Sequence, residues 1–498
     1  MKAIMLMFDT LSKAYLPNYG NQWVHAPNFD RLREKCMTFD NFYGGSMPCM
    51  PARREMHTGK YNFLHRCWGP LEAFDYSIFE KLNKENIYTH LITDHSHYFE
   101  DGGATYHNRY SSWEGFRGQE GDRWIPRLEA MEDCNENPLN KPADNISRIQ
   151  HFANRTQVKE ETDMSSVKVI ERGLDFLKKN RNKDDWFLQL ECFDPHEPFF
   201  VPEKYRDLYR LTESKDIPYW PIYQHLSEAE KDQYEKDIED MQKEYAALIS
   251  MCDYHLGRVL DFMDEHQMWD DTLLIVNTDH GFLLGEHNWL GKNVAPMYEE
   301  IVHIPFFMHV PQHKLNGQRV DGLAQTIDLP PTLAEYFEIE PFENMDGRSL
   351  FNLLDQQLEN HDSILFGTNG GHVNLFDGRY TYMKASANKD NQPLVNYTLM
   401  PTMIRGFYPT SSLERISLYE GDRFTNGVPC LKVPLMFSFT NSYEIGTLIY
   451  DLQKDPEQKS PLEDQELQKQ LDQKLIKKMQ EVGAPMEEFQ RLGYDTVY

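Results

Sequence analysis

The sequence predicts an α/β fold, a large mixed but mostly parallel central sheet flanked by helices, followed by a smaller C-terminal α+β region. Three observations predict it. Short apolar runs, Lys2 to Phe8, Trp186 to Phe193 and Thr272 to Asn277, have the length of buried strands. Long amphipathic stretches with helical spacing separate them, and that alternation is the pattern of a helix-covered parallel sheet. After about residue 360 the pattern changes to short strands between Gly-rich and Asp-Gly turns.

Taken in order, Lys2 to Phe8 is a strand that stops abruptly at Asp9 and Thr10. Val167, Ile170, Leu174 and Leu177 recur at helical spacing ahead of the strand beginning at Trp186. From Ile238 to Met263, the residues Met241, Tyr245, Leu248, Cys252, Leu256, Val259 and Met263 share one helical face. That helix leads into the strand Thr272 to Asn277. Ser363 to Phe366 and Arg379 to Met383 are expected as strands, and Asp464 to Gln490 as a solvated Lys/Glu/Gln-rich helix. The expected division is a catalytic domain over 1–360 and a C-terminal subdomain over 361–498. Polar stretches around 130–165 and 210–240 are expected as surface insertions.

Composition narrows the function classes. The chain has 498 residues, 40% hydrophobic and 26% charged, which is an ordinary globular composition. Its 79 acidic against 51 basic residues give a net charge of −28. That balance speaks against a nucleic-acid or anionic-membrane binder, whose footprint is basic. An enzyme for anionic substrates then has to concentrate positive charge at its site. No apolar run reaches the roughly 20 residues of a membrane-spanning helix. Met1 to Phe8 is too short for a signal peptide, so a cytoplasmic location is expected, a removed leader being left open. Seven scattered cysteines without a C-x-x-C pair suggest reduced thiols. Oligomeric state is not legible.

Three segments carry chemistry. Asp9 follows the first strand directly, and Asp279 and His280 follow the strand ending at Asn277. Ligands collect at the carboxyl ends of parallel strands, so these groups can converge on a divalent metal. Taken alone, an Asp ending a strand is more often a cap or turn residue. The third segment runs from Gly44 to Lys60. Pro51 and Gly59 frame a short helix in it, placing Cys49 at the helix N-terminus, where anions are favoured, and Arg53 one turn on. The bland alternative is a structural cysteine beside a surface arginine.

Cys49, Pro51 and Arg53, closing with Thr58-Gly59-Lys60, resemble the signature of the sulfatases of the alkaline phosphatase superfamily. Phe8-Asp9-Thr10 resembles that family's first metal segment, Thr278 to Gly281 the second, and Gly285 to Lys292 its lysine segment. Phe193 to Pro198, around His196, is similar to its substrate-histidine loop. Met345 to Leu350 and Leu448 to Pro456 resemble the end of its main domain and its C-terminal strand and turn. The resemblance implies an alkaline phosphatase-like fold and a Cys49 oxidised to formylglycine by a maturation enzyme. It implies one divalent metal, calcium first with manganese, magnesium or zinc open, held by Asp9, Asp279, His280 and the modified Cys49. One hydroxyl of the hydrated aldehyde then attacks sulfur and the other expels sulfate. Arg53 holds the diol, Lys292 neutralises charge on the sulfate, and His196 protonates the leaving oxygen.

Two departures from the family pattern stand out. Many sulfatases have two adjacent Asp residues where this chain has Asp9 and Thr10, a lost carboxylate that weakens the case for calcium. A single Asp there is also a habit of the related phosphonate monoester and phosphodiester hydrolases. Where sulfatases commonly present Gly-Lys-x-His, this chain has Thr93, Asp94, His95 and His97, expected to contact the substrate in its place. His372, in the C-terminal region, is a further expected contact with the leaving group. The resemblance implies sulfate ester hydrolysis, with small carbohydrate sulfates ahead of aryl sulfates. A phosphonate monoester or phosphodiester hydrolase is the alternative, and a pseudoenzyme binding sulfated glycans the least favoured.

Overall fold

The computed structural model describes residues 1–128, 137–211, 219–356, 359–435 and 438–494. Eight strands build the main sheet: β1 (Lys2–Phe8), β2 (Met37–Phe39), β3 (Tyr88–Thr93), β4 (Ser112–Gly115), β5 (Trp186–Cys192), β6 (Thr272–Asn277), β7 (Phe307–His309) and β8 (Arg319–Val320). Their spatial order is β8-β2-β7-β6-β1-β5-β3-β4. All neighbouring pairs are parallel except the two made by β7, so one strand alone runs against the rest.

β1 shows why the sheet is buried on both faces. Ile4, Leu6 and Phe8 point into one core with the helices α2 (Ser165–Asn180) and α3 (Glu235–Glu265). Ala3, Met5 and Met7 point into a second core on the opposite face. The face predicted from Met241 to Met263 is buried along α3. A continuous apolar run, rather than an alternating one, is what a strand covered on both sides requires.

Register decides where the chemistry emerges. Phe8 pairs with Cys192, Met7 with both Glu191 and Asn277, and Thr93 with Glu191. Four strands therefore end level, and Asp9, Asp94, Phe193 and Thr278 leave the sheet at one edge. The Asp9 amide still donates to Cys192 O at 2.9 Å, holding the first turn beyond β1 against β5.

The C-terminal part forms two antiparallel sheets. Strands β9 (Ile364–Gly367), β10 (Val373–Phe376), β11 (Tyr380–Lys384) and β15 (Leu448–Asp451) make one. Strands β12 (Val395–Thr398), β13 (Ser417–Tyr419) and β14 (Cys430–Pro434) make the other. The terminal stretch differs from expectation. It is two helices, Gln465–Glu481 and Met486–Arg491, broken where Gly483 takes a φ of 72°. Neither is merely solvated: Leu471, Leu475, Met479 and Phe489 pack on the first of these sheets, since even a polar helix buries one i, i+4 stripe. The polar insertions are also partly structural, with a helix at Ile146–Arg155, while residues 129–136, including Cys134, and 212–218 lie outside the described ones. No described helix is long and apolar enough to cross a membrane.

Candidate active site

Cys49 opens the helix α1 (Cys49–Thr58), which is buried along its whole length. Pro51 sits in its first turn, where no intrahelical amide is needed, and Gly59 closes it in the left-handed region at φ 66°. The segment entering this helix is pinned by the C-terminal sheet. Gly367, ending β9, receives a hydrogen bond from the Met47 amide at 2.8 Å and gives one to Gly45 O at 2.9 Å.

Arg53, one turn into α1, is the hub of the site. Its Nε donates to Glu191 at 2.8 Å, Nη1 to Asp279 at 2.7 Å and to Cys49 O at 2.9 Å, and Nη2 to Asp9 at 2.7 Å. All three carboxylates are fully buried. Three carboxyl groups around one guanidinium crowd negative charge in a low-dielectric setting, which a bound divalent cation would relieve. Burial and the Asp279 charge raise Asp9 well above the usual carboxylate range. Burial opposes ionisation of Asp279 too, but His280, Arg53 and the Thr10 amide outweigh it and hold this carboxyl below its ordinary value.

Cys49 Sγ lies 3.2 Å from His280 Nε2, 3.9 Å from Asp9 Oδ1 and 3.8 Å from Lys292 Nζ. One ligand atom each from Asp9, Cys49, Asp279 and His280 falls within 4.8 Å of the others. Burial lowers the His280 pKa to about 3, so the ring is neutral; its Nδ1 meets Gly281 O at 3.0 Å, leaving the Nε2 lone pair toward Cys49. Two carboxylates, a neutral imidazole and a position-49 side chain make a donor set that fits a divalent metal. Burial, reinforced by Asp9, pushes the Cys49 thiol up, so as an unmodified cysteine it is a poor nucleophile.

Thr10 occupies a position that β-branched residues rarely adopt, with φ 64°. The strain has a use: its amide donates to Asp279 at 3.0 Å, its hydroxyl to Asp9 at 2.7 Å, and it accepts from Lys292 at 3.2 Å. Lys292 also donates to His196 Nε2 at 2.6 Å, with Glu197 3.8 Å away. Burial disfavours the Lys292 ammonium, yet Cys49, Glu197 and Asp9 outweigh it and hold its pKa above the ordinary lysine value. Burial and Lys292 together keep His196 far below its usual pKa, so its ring is neutral.

The remaining sequence-named residues separate. His95 is fully buried in the site, 3.6 Å from Asp9, and its Nε2 has no hydrogen-bond partner among the described residues. Thr93 accepts the His95 amide at 3.0 Å and sets that turn. His97, bonded to Glu100 at 2.8 Å and set against the edge of Trp68, lines the cavity above Cys49. His372 is not brought to the site. Its Nε2 is bonded to Gly446 O at 2.9 Å, and it does not line the cavity above Cys49.

That cavity has a volume of about 940 Å³, with Cys49, His196 and Lys292 at its base. His97 lines it as the sequence suggests, and further walls come from places sequence reasoning passed over: Trp68, Glu120, Lys141, Tyr223, Arg405 and Phe439. Arg405 and Phe439 belong to the C-terminal region, which does reach over the site, but through loops other than the one carrying His372. Arg405 bonds Glu100 at 2.8 Å and Glu120 at 3.1 Å, and the Gly406 amide donates to Asp101 at 2.8 Å. The turn around Asp101 thus anchors this wall instead of lining the cavity. Glu191 was also missed, although a charge inside the apolar run 186–193 was a readable signal that a buried partner exists.

Comparison with known proteins places the chain in a family. An arylsulfatase of Clostridium perfringens is 22% identical over 401 residues, covering 74% of this chain and 82% of its own. The multifunctional alkaline phosphatase superfamily protein PehA of Trinickia caryophylli is 29% identical over 393 residues, covering 67% and 72%. The phosphonate monoester hydrolase structure of Agrobacterium radiobacter superimposes with a TM-score of 0.66 at 18% identity, covering 97% of this chain and 96% of that one, which shows a shared alkaline phosphatase-like fold. The sulfatase family model matches residues 2–339, and the chain therefore belongs to the sulfatase family of sulfuric ester hydrolases.

Proposed function

We propose that the chain hydrolyses a sulfate monoester of a small, sugar-sized alcohol, using a nucleophile made from Cys49 beside one divalent metal. The observation that carries this reading is the convergence of Asp9, Cys49, Asp279 and His280 within 4.8 Å, under Lys292, at the base of the cavity. When bound there, the metal would polarise a sulfate oxygen and lower the pKa of the hydroxyl beside it. Oxidised to formylglycine by a maturation enzyme and hydrated, residue 49 would supply one hydroxyl to attack sulfur and a second to release sulfate.

The chain's own side chains do the rest. Arg53 fixes position 49 through the Cys49 carbonyl and joins it to both metal-side carboxylates. Lys292, at 3.8 Å from Sγ, meets the negative charge that develops on the sulfate oxygens. Neutral His196 accepts from Lys292 at Nε2 and is held by Glu197 O at Nδ1, so within this pair the proton for the leaving oxygen comes from the Lys292 ammonium that His196 orients. His95, whose Nε2 lies 3.6 Å from Asp9 without a hydrogen-bond partner, stands where relatives commonly offer a lysine or histidine and is the donor proposed for the sulfate. An imidazole nitrogen and two carboxylates supply fewer oxygens than calcium's usual roughly six to eight, so manganese or zinc, which take an imidazole nitrogen, fits this set better than the oxygen-seeking calcium or magnesium.

A second reading, phosphodiester or phosphonate monoester hydrolysis, is favoured by Thr10 standing where many sulfatases carry a second Asp. Paired assays with a sulfate monoester and a phosphate diester of the same phenol separate the two. Faster turnover of the monoester, abolished in Cys49→Ala, is expected; a far faster diester reverses the assignment. Peptide mass analysis of residue 49 in active enzyme tests the aldehyde directly.

A further inference from the structure

We infer that Lys141 forms a second anion-binding subsite in the cavity. Resting on the ester hydrolysis proposed above, this means that the leaving alcohol carries its own oxyanion, a carboxylate or another sulfate.

The charges lining the cavity show why. Lys292 is engaged by Thr10, His196 and Glu197. Arg405 is spent on Glu100 and Glu120, and Glu120 is in turn matched by Arg405 with His97 3.9 Å away. Lys141 is different. Among the described residues its ammonium has no hydrogen bond and no close ion pair; it lies over the face of Trp220, 3.9 Å from the ring centroid, and Glu120 and Glu197 act on it only at longer range. A half-buried cation without a contacting carboxylate is costly in a protein that carries a net charge of −28 and has carboxylates to spare. Burial lowers its pKa from the ordinary lysine value, against the opposing pull of Glu120 and Glu197.

Lys141 is also held in place, unlike a surface lysine. Its amide donates to Trp220 O at 3.0 Å, its carbonyl accepts from Arg148, and the buried indole of Trp220 backs its side chain. Asn145 lines the same cavity and caps the helix 146–155, accepting the Arg148 amide at 3.2 Å, so the positive end of that helix opens to the cavity as well. The cavity that holds both Cys49 and Lys141 is also lined by Trp68, Tyr223 and Phe439. A ring bearing an anion at each end, one for residue 49 and one for Lys141, matches that lining.

The test uses full-length enzyme and two aryl sulfates that differ only in a carboxylate against a carboxamide on the ring. The wild type should favour the carboxylate by about tenfold in kcat/KM, mainly through KM, equivalent to about 1.4 kcal/mol. Lys141→Met should bring the ratio close to one, and Lys141→Arg should retain it. A wild type indifferent to the carboxylate, or a Lys141→Met enzyme that keeps the preference, overturns the subsite. Binding of the two product phenols, measured by calorimetry, reads Lys141 without turnover, so a failed ester assay bears only on the reaction. Should Lys141→Met not fold, the wild type decides: a preference that fades with added salt supports the subsite, and a salt-independent one overturns it. A matched phenyl sulfate bearing a second sulfate distinguishes which oxyanion is preferred.

Discussion

Glu191 accepts the Nε–H of Arg53 at 2.8 Å, from the penultimate residue of β5, the strand beside β1, which leads directly into Asp9. Its other oxygen receives the Tyr98 hydroxyl at 3.0 Å and the Gln189 amide at 3.2 Å. The guanidinium is thereby fixed from behind while its two front nitrogens meet Asp9 and Asp279. Because both partners are buried, neutralising Glu191 weakens a charge-assisted hydrogen bond, although Arg53 keeps Asp9 and Asp279 as counter-charges. Glu191→Gln should lose about 2 kcal/mol of stability in urea unfolding. In the folded variant kcat should fall more than tenfold with KM nearly unchanged, since the substrate-facing groups remain but residue 49 is held less firmly. An unaltered kcat would remove Glu191 from the positioning of Arg53.

Lys292 touches Thr10 and His196 at once, at 3.2 and 2.6 Å, from 3.8 Å above the Cys49 sulfur. Lys292→Met should lower kcat by about 10²–10³, the range for losing one preorganised charge-stabilising donor. Lys292→Arg should not restore it, because a planar fork cannot place donors as a compact ammonium does. The loss should grow along a series of aryl esters with rising phenol pKa if the Lys292–His196 pair delivers the proton. A loss independent of the leaving group assigns Lys292 to charge stabilisation alone.

The sheet and the metal-side residues were legible because they are local: an apolar run that stops at Asp9, another that stops before Asp279, and a Cys49–Arg53 pair spaced by one helical turn. Local pattern also found α3, a 31-residue helix whose buried stripe runs from Ile238 to Met263. The walls of the cavity were not legible for the opposite reason. Lys141, Arg405 and Phe439 reach it from loops far apart in sequence, and no period marks a loop residue as facing a cavity. His372 misled because a glycine-rich turn with a histidine looks the same whether the ring meets a substrate or, as here, Gly446 O. The terminal helix was read as solvated because Lys and Glu dominate its count, although Leu471, Leu475 and Met479 already mark the buried stripe.

Thr10 links the strained turn after β1 to the choice of metal. Where it stands, a second aspartate would add an anionic oxygen beside Asp9 and Lys292, and an Asp tolerates the left-handed φ of 64° better than a β-branched Thr. Calcium affinity rises with the number and charge of oxygen ligands. Thr10→Asp should therefore raise activation by calcium relative to manganese by about tenfold, equivalent to about 1.4 kcal/mol, in metal titrations of chelator-treated enzyme. An unchanged ratio would place the Thr10 side chain outside metal selection.

His57 makes the acid stability of the fold testable away from the metal side. It lies in α1 among Phe79, Tyr106 and Tyr110, with Nδ1 2.8 Å from the Ser77 hydroxyl. Burial, aided by Arg109, lowers its pKa from 6.5 to about 3. Between those values the unfolded chain takes up a proton at this ring and the folded chain does not, so ν_U exceeds ν_N and stability rises with pH. Stability supplied by the neutral ring is thus complete above pH 6.5 and is lost as pH falls toward 3. His57→Phe, which keeps the aromatic packing but gives up the Ser77 bond, should be about 1 kcal/mol less stable at pH 8. It should then lose less than the wild type on acidification, by up to about 1.4 kcal/mol for each pH unit below 6.5. Urea unfolding of both proteins at pH 8 and pH 5 reads the difference, and parallel decline of the two curves would show that His57 is protonated in the folded chain.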